Sequence, residues 1–303
     1  MPNPHDHDFL HDQHDRNARR THWVLLLSAV MMVAEIAAGA WSGSMALTAD
    51  GWHMATHTLA IGASALAYWL ARRWADDPRF SFGTGKLGSL AGFGSALFLI
   101  AVAFGIAWES VARMLEPQDV NYLEAMVVAA VGLLVNLVSA ALLNGGGGHS
   151  HGHGGHDHGH GHGHGHAHED HNLRSAYLHV LSDAVTSVLA IVALGAGLLL
   201  GWRFLDPLVG LLGAALILRW SIGLIRDTSA VLLDRDPDPA LSAELRRQIE
   251  APADAAVTDL HLWQVSPGRF AAIISVRTRL GAEAIRARVS SDSRLAHLTV
   301  ECG

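Results

Sequence analysis

Cysteine is almost missing: Cys302 is the only one in 303 residues. That excludes a disulfide framework and any metal site built on several thiolates. Charge is scarce too. Asp, Glu, Lys and Arg make up 16% of the chain, against about 25% in ordinary soluble domains. The N-terminus lacks the short basic region and apolar core of a cleavable leader, since Met1–Asp15 interleaves Asp with His. No Gly-x-x-x-x-Gly-Lys-Ser/Thr run is present to cradle a nucleotide. What is abundant is apolar surface: 50% of residues are hydrophobic and the mean hydropathy is +0.25. That balance points to a bilayer as the solvent for most of the chain.

A membrane-spanning helix needs about 20 apolar residues. Six segments qualify: about 23–40, 47–70, 88–108, 125–143, 176–200 and 207–225, the last interrupted by Arg219. The expected architecture is an all-α bundle of six transmembrane helices over 21–226. A His/Asp-rich disordered tail precedes it at 1–20, and a small cytoplasmic α+β domain follows at 227–303. Lys and Arg set the orientation. Arg16, Arg19, Arg20, Arg72, Arg73, Arg79, Lys86 and Arg174 fall on one side, and only Arg113 and Arg203 on the other. Both termini are therefore expected in the cytoplasm, with the chain in the inner (plasma) membrane.

The loop between spans four and five, 145–172, is low in complexity. His149, His151, His153, His156, His158, His160, His162, His164, His166, His168 and His171 mostly alternate with glycine. Glycine at that density opposes a packed fold, and imidazoles on a flexible chain make a metal-buffering tract. A spacer with no specific role for its histidines is the plainer alternative. Beyond Asp234–Pro239 the composition becomes that of a soluble domain. Helical spacing over 240–250, alternating strands at 257–265 and 270–278 around Pro267-Gly268, a helix at 281–290 and a strand at 298–302 give an α-β-β-α-β order.

An ionisable group inside a span is costly, about 2.5–3.5 kcal/mol for Asp at a helix centre. In the second span His53 and His57 are four residues apart, on one helix face. In the fifth, His179 and Asp183 share that spacing. Two helices with such pairs can supply four N and O ligands to one ion. A lone intramembrane His more often hydrogen-bonds a neighbouring helix; two matched pairs beside a histidine tract favour ligation. A His-Glu-x-x-His metalloprotease would need Glu as base after the first His, and Met54 stands there. The chain is therefore not expected to be an enzyme. A metal sensor or store would explain the tract but not the paired ligands. Glu35, Glu109 and Asn136 are further polar residues in or beside spans, and the sequence assigns them no role.

The segment Ser44-Met-Ala-Leu-Thr-Ala-Asp-Gly-Trp-His53, the His179-Val-Leu-Ser-Asp183 pair, the Phe82-Gly83…Lys86 loop and the six spans resemble the cation diffusion facilitator family. Asp259-Leu-His-Leu-Trp263 fits that family's cytoplasmic domain. The resemblance runs from about residue 20 to the end. It implies a homodimeric exporter of divalent metal coupled to inward proton flow, with a ferredoxin-like domain for dimerisation and regulation. The expected partners are the bilayer, protons and a second copy, with no nucleic acid and no resident cofactor.

Zinc-exporting members usually carry Asp where this chain has His57. A site of three imidazoles and one carboxylate, and the likeness of Ala49–His57 to the cobalt- and nickel-exporting branch, lead to an expected cargo of Co(II) or Ni(II). Zn(II) is the alternative, with Cd(II) beside it. Asp50, three residues before His53, is either an accessory ligand or a structural or gating residue. In the loop Phe80 stands where members often have His. His261 and His297 are candidates for a regulatory site in the soluble domain, although a strand His such as His261 is more often structural. Free imidazole titrates near pH 6.5, so protons compete with metal for such ligands. Metal–proton antiport is the expected consequence.

Overall fold

A computed structural model describes the backbone of residues 11–144, 167–289 and 292–303. Side chains of 11–25, 57, 140, 142–144 and 167–182 lie outside that description. The element order is α1 (His11–Ser42), α2 (Met45–Arg73), α3 (Leu87–Leu115), α4 (Tyr122–Asn144), α5 (Ala167–Leu200), α6 (Leu205–Leu232), α7 (Pro239–Glu250), β1 (Ala255–Ser266), β2 (Arg269–Thr278), α8 (Ala282–Val289) and β3 (Leu295–Cys302).

Among the described residues, four helical stretches are long and apolar enough to cross a membrane: α3, 122–139 of α4, 183–200 of α5, and α6. Leu26–Ser42 of α1 is apolar but shorter, and α2 carries Thr48, Asp50, His53 and Thr56 within its buried half. Phe104, Trp108, Leu134, Val192 and Leu199 point outward from these helices. Such large apolar surface is expected of a lipid-facing wall.

The largest departures from the sequence reading are at two helix starts. Residues 11–20, expected as tail, are helical and continue into α1; they contain no Gly or Pro to stop a propagating helix. Helix α5 begins at Ala167, where the glycine alternation ends, so His168 and His171 sit in its first turns. The histidines from His149 to His166 lie outside the described residues.

The chain divides into two compact units, residues 1–58 with 102–218, and residues 59–101 with 219–303. In the first, α1 packs on α4 and α4 on α5. Small residues bring α1 and α2 close: a Cβ on Gly39 would stand 2.5 Å from Thr48 Oγ1. Gly43, at φ +76°, turns the chain between these helices, a backbone state that suits glycine. Buried Asp206, in the first turn of α6, closes that turn from the far side. Its Oδ1 accepts from Ser44 Oγ (2.6 Å) and Ala46 N (3.2 Å), and its Oδ2 from Met45 N (2.8 Å). One carboxylate thus satisfies the first amides of α2, which would otherwise be orphaned in an apolar setting.

In the second unit the sheet order is β1-β2-β3, with β1 antiparallel to β2 and β3 parallel to it through the α8 crossover. Asp238 caps α7, accepting from Leu241 N, ahead of Pro239. Leu241, Leu245 and Ile249 then recur along one helix face and bury against Val257, Leu262, Ile274, Ile285 and Val300. On the opposite sheet face, Trp263, Ala271 and His297 form one cross-strand row. Phe82, from the α2–α3 loop, meets Trp263 and His297 edge-on, each at 5.6 Å between ring centroids. Lys86 in the same loop pairs with Asp234.

Candidate metal site

Helices in lipid satisfy their own backbone, so a polar side chain in their packed interior must be matched by another one. Among the described residues of the first unit, four acids and one imidazole are buried this way: Glu35 (α1), Asp50 and His53 (α2), Asp183 (α5) and Asp206 (α6). Asp206 is consumed by the cap of α2. The other four lie near one another.

His53 Nε2 stands 3.4 Å from Asp183 Oδ1, with the two side chains 4% and 6% exposed. The structure therefore joins one ligand from each of the two helices singled out by spacing. His57 and His179 follow by helix geometry, one turn beyond His53 and one turn before Asp183, but their side chains lie outside the described residues. Among the described residues no group of three or more His, Cys, Asp or Glu side chains is gathered for an ion.

Asp50 is 3% exposed and faces the hydroxyls of Thr186 and Ser187 on α5. Both hydroxyls have further contacts. Thr186 Oγ1 donates to the Asp183 carbonyl at 2.9 Å, and Ser187 Oγ accepts from Asn136 Nδ2 at 3.5 Å. Asp50, His53 and Thr186 give the polar side of a cavity of about 30 Å³, completed by apolar residues such as Ala49, Leu189 and Leu212. About 10–15 Å³ suffices for one water by the same measure, so the cavity has room for a small occupant.

Negative charge at this density in a low-dielectric core is neutralised by protons or by a cation. Imidazole with carboxylate is a donor set for a divalent transition metal. Of the polar residues without an assigned role, Asn136 bonds to Ser187 behind the site. Glu109 pairs with Arg113 at 2.8 Å, which makes it a tie within α3.

The two candidates in the C-terminal sheet domain have separate company. Exposed His261 Nε2 pairs with Asp259 Oδ2 at 2.8 Å. His297 packs on Phe82, with Nε2 3.3 Å from Thr299 Oγ1. They share a sheet face, but no third ligand joins them among the described residues.

Residues 22–233 match the family model described as the cation efflux transmembrane domain. The chain belongs to the cation diffusion facilitator family of cation efflux transporters. The zinc transporter ZitB of Escherichia coli (strain K12) is 34% identical over 267 residues, covering 88% of this chain and 79% of that protein. The metal cation efflux system protein CzcD of Cupriavidus metallidurans is 30% identical over 267 residues, covering 88% and 78%. A cadmium, cobalt and zinc/H(+)-K(+) antiporter of Bacillus subtilis is 28% identical over 260 residues, covering 84% and 78%. Membership makes this cation diffusion facilitator a divalent-metal efflux transporter. It does not single out the cobalt- and nickel-exporting branch.

Sequence reasoning missed Asp206. It sits one residue before the expected start of the sixth span, where it reads as loop; the Asp-Pro pair at a helix start is the signal that could have found it.

Proposed function

We propose that this cation diffusion facilitator exports Zn(II) from the cytoplasm in exchange for protons, through a site of His53, His57, His179 and Asp183. The observation that carries this reading is the buried 3.4 Å approach of His53 to Asp183 between α2 and α5. Asp50, one turn along α2 and lining the adjoining cavity, is the accessory donor. The expected preference for Co(II) or Ni(II) rested on His57, and the relatives favour zinc instead. Zinc stands in the name of ZitB, and beside cadmium and cobalt in that of the Bacillus antiporter. Cobalt remains the second reading because His57 adds an imidazole where a carboxylate is usual; nickel has no support among those names. H+ stands among the counter-ions in that antiporter's name, which agrees with proton competition for imidazole ligands.

The working assembly is a homodimer in the inner membrane. Each copy has six spans, cytoplasmic termini and a ferredoxin-like C-terminal domain. The His-rich loop buffers metal on the cytoplasmic side. The test is zinc tolerance in a host stripped of its own exporters. The intact chain is expected to restore growth, and His53→Ala and Asp183→Ala to abolish that rescue. Full rescue by both variants would remove the site assignment.

A further inference from the structure

Glu35 has no part in the ligand set just described, yet it is fully buried at the middle of the helix core. Its setting is built for it. Two glycines on neighbouring helices make the space: a Cβ on Gly51 of α2 would lie 3.1 Å from Glu35 Cβ, and one on Gly132 of α4 only 1.9 Å from Oε1. Neither carboxyl oxygen meets a hydrogen-bond donor among the described residues. A packing role alone would be met better by an apolar side chain of similar volume, because an unmatched buried polar group is costly.

The charges that face Glu35 are Asp50 from α2 and Asp183 from α5, both acidic. From α4 it meets Gly132, with Asn136 one turn on and no titratable group at the contact. His53 is the described imidazole of the same core; His57 and His179 are the others on α2 and α5 by sequence. No arginine or lysine reaches the carboxyl among the described residues. An ionised Glu35 would therefore be a third buried negative charge beside Asp50 and Asp183. A proton on its carboxyl removes that charge, whereas a dication between His53 and Asp183 supplies the compensation from outside.

We propose that Glu35 carries the exchanged proton, as a carboxyl separate from the metal ligands and linked to them only by charge. The proposal rests on the antiport reading and assigns a residue to it. With the metal site empty, the carboxyl holds one proton, taken from the aqueous phase on the far side. Arrival of the dication from the cytoplasm repels that proton, which leaves to the cytoplasm. Departure of the dication restores the surplus of negative charge and draws in a new proton from outside. The bond made and broken is the carboxyl O–H, and one positive charge moves per Glu35.

The experiment uses the full chain in proteoliposomes, with Zn(II) as cargo and a pH-reporting dye inside. Glu35→Gln is isosteric with the protonated carboxyl and cannot release a proton. It is expected to keep gradient-free Zn(II)–Zn(II) exchange and to lose accumulation driven by a pH gradient, together with the Zn(II)-evoked proton signal. Glu35→Asp is expected to recover part of both. Unchanged gradient-driven accumulation in Glu35→Gln overturns the assignment. So does loss of Zn(II)–Zn(II) exchange in that variant, which would mark Glu35 as structural. If the parent chain itself moves zinc without regard to the gradient, it is the antiport reading that fails.

Discussion

At the scale of single residues, the proposed role of His53 and Asp183 is supported by burial and proximity, and that of His57 by sequence alone. Exchanging His57→Asp gives the second span the carboxylate usual in zinc exporters of the family. Its expected effect is a lower tolerance to cobalt relative to zinc, read as growth over a matrix of the two metals. An unchanged ratio would mean that position 57 does not set selectivity. Asp206 makes a different kind of claim. It accepts three hydrogen bonds in a buried setting, so Asp206→Ala leaves the α2 amides unsatisfied. We expect a loss of about 1–3 kcal/mol, visible as a lowered melting temperature in detergent. Asp206→Asn keeps an acceptor and is expected to lose less. His53 and Asp183 could be singled out because spacing of four on a helix, to His57 and from His179, is independent of context. Asp206 was not, because its partners lie about 160 residues away and nothing local marks them.

At the scale of elements, the C-terminal sheet domain was legible almost whole. Period-two alternation located β1 and β2, and Pro267-Gly268 marked the turn, with Gly268 at φ +66°. Tertiary packing explains the early start of β3: Leu295 pairs with Phe270, extending the strand three residues ahead of its apolar signal. The pairing of loop and sheet was invisible. Nothing in the sequence says that Phe82 lands on Trp263 and His297. Removing that ring with Phe82→Ala is expected to raise amide hydrogen exchange in the loop and in β3, without changing zinc affinity at the bundle site.

The C-terminal helices are held by Arg288. It donates to the Ile249 carbonyl at 2.7 Å and to both oxygens of Asp254, at 2.9 and 2.8 Å. That guanidinium holds the Asp254 carboxyl below its ordinary value of 3.8. The sign follows from linkage: the pair's contribution is present above about pH 4 and fades as pH falls through the depressed value. Arg288→Ala is expected to increase exchange in α7 and α8 at neutral pH, and the difference from the parent to shrink in acid. A gap that widens in acid would contradict the pairing. Solvent reaches both groups, so the effect is small.

For the whole molecule, the bundle interior was legible as chemistry but not as geometry. Composition and charge bias gave a membrane protein with its positive loops on one side. Spacing suggested that His53 and Asp183 meet, with Asp50 beside them, but not that Glu35 joins them, because helix contacts depend on where small residues allow close approach. Gly39, Gly51 and Gly132 do that here, and singly they look like any glycine in an apolar run. Metal binding gives a global readout. A cargo bound only by the folded state stabilises it by about 2.7 kcal/mol at 100 times its dissociation constant. Zinc is therefore expected to raise the melting temperature of the parent, and a chelator to reverse the rise. His53→Ala is expected to remove the response; its persistence would place the metal elsewhere.

The carboxylate of Asp206 also acts as a rivet. Because it binds Ser44 and the first amides of α2 from the first turn of α6, those two helix ends travel together.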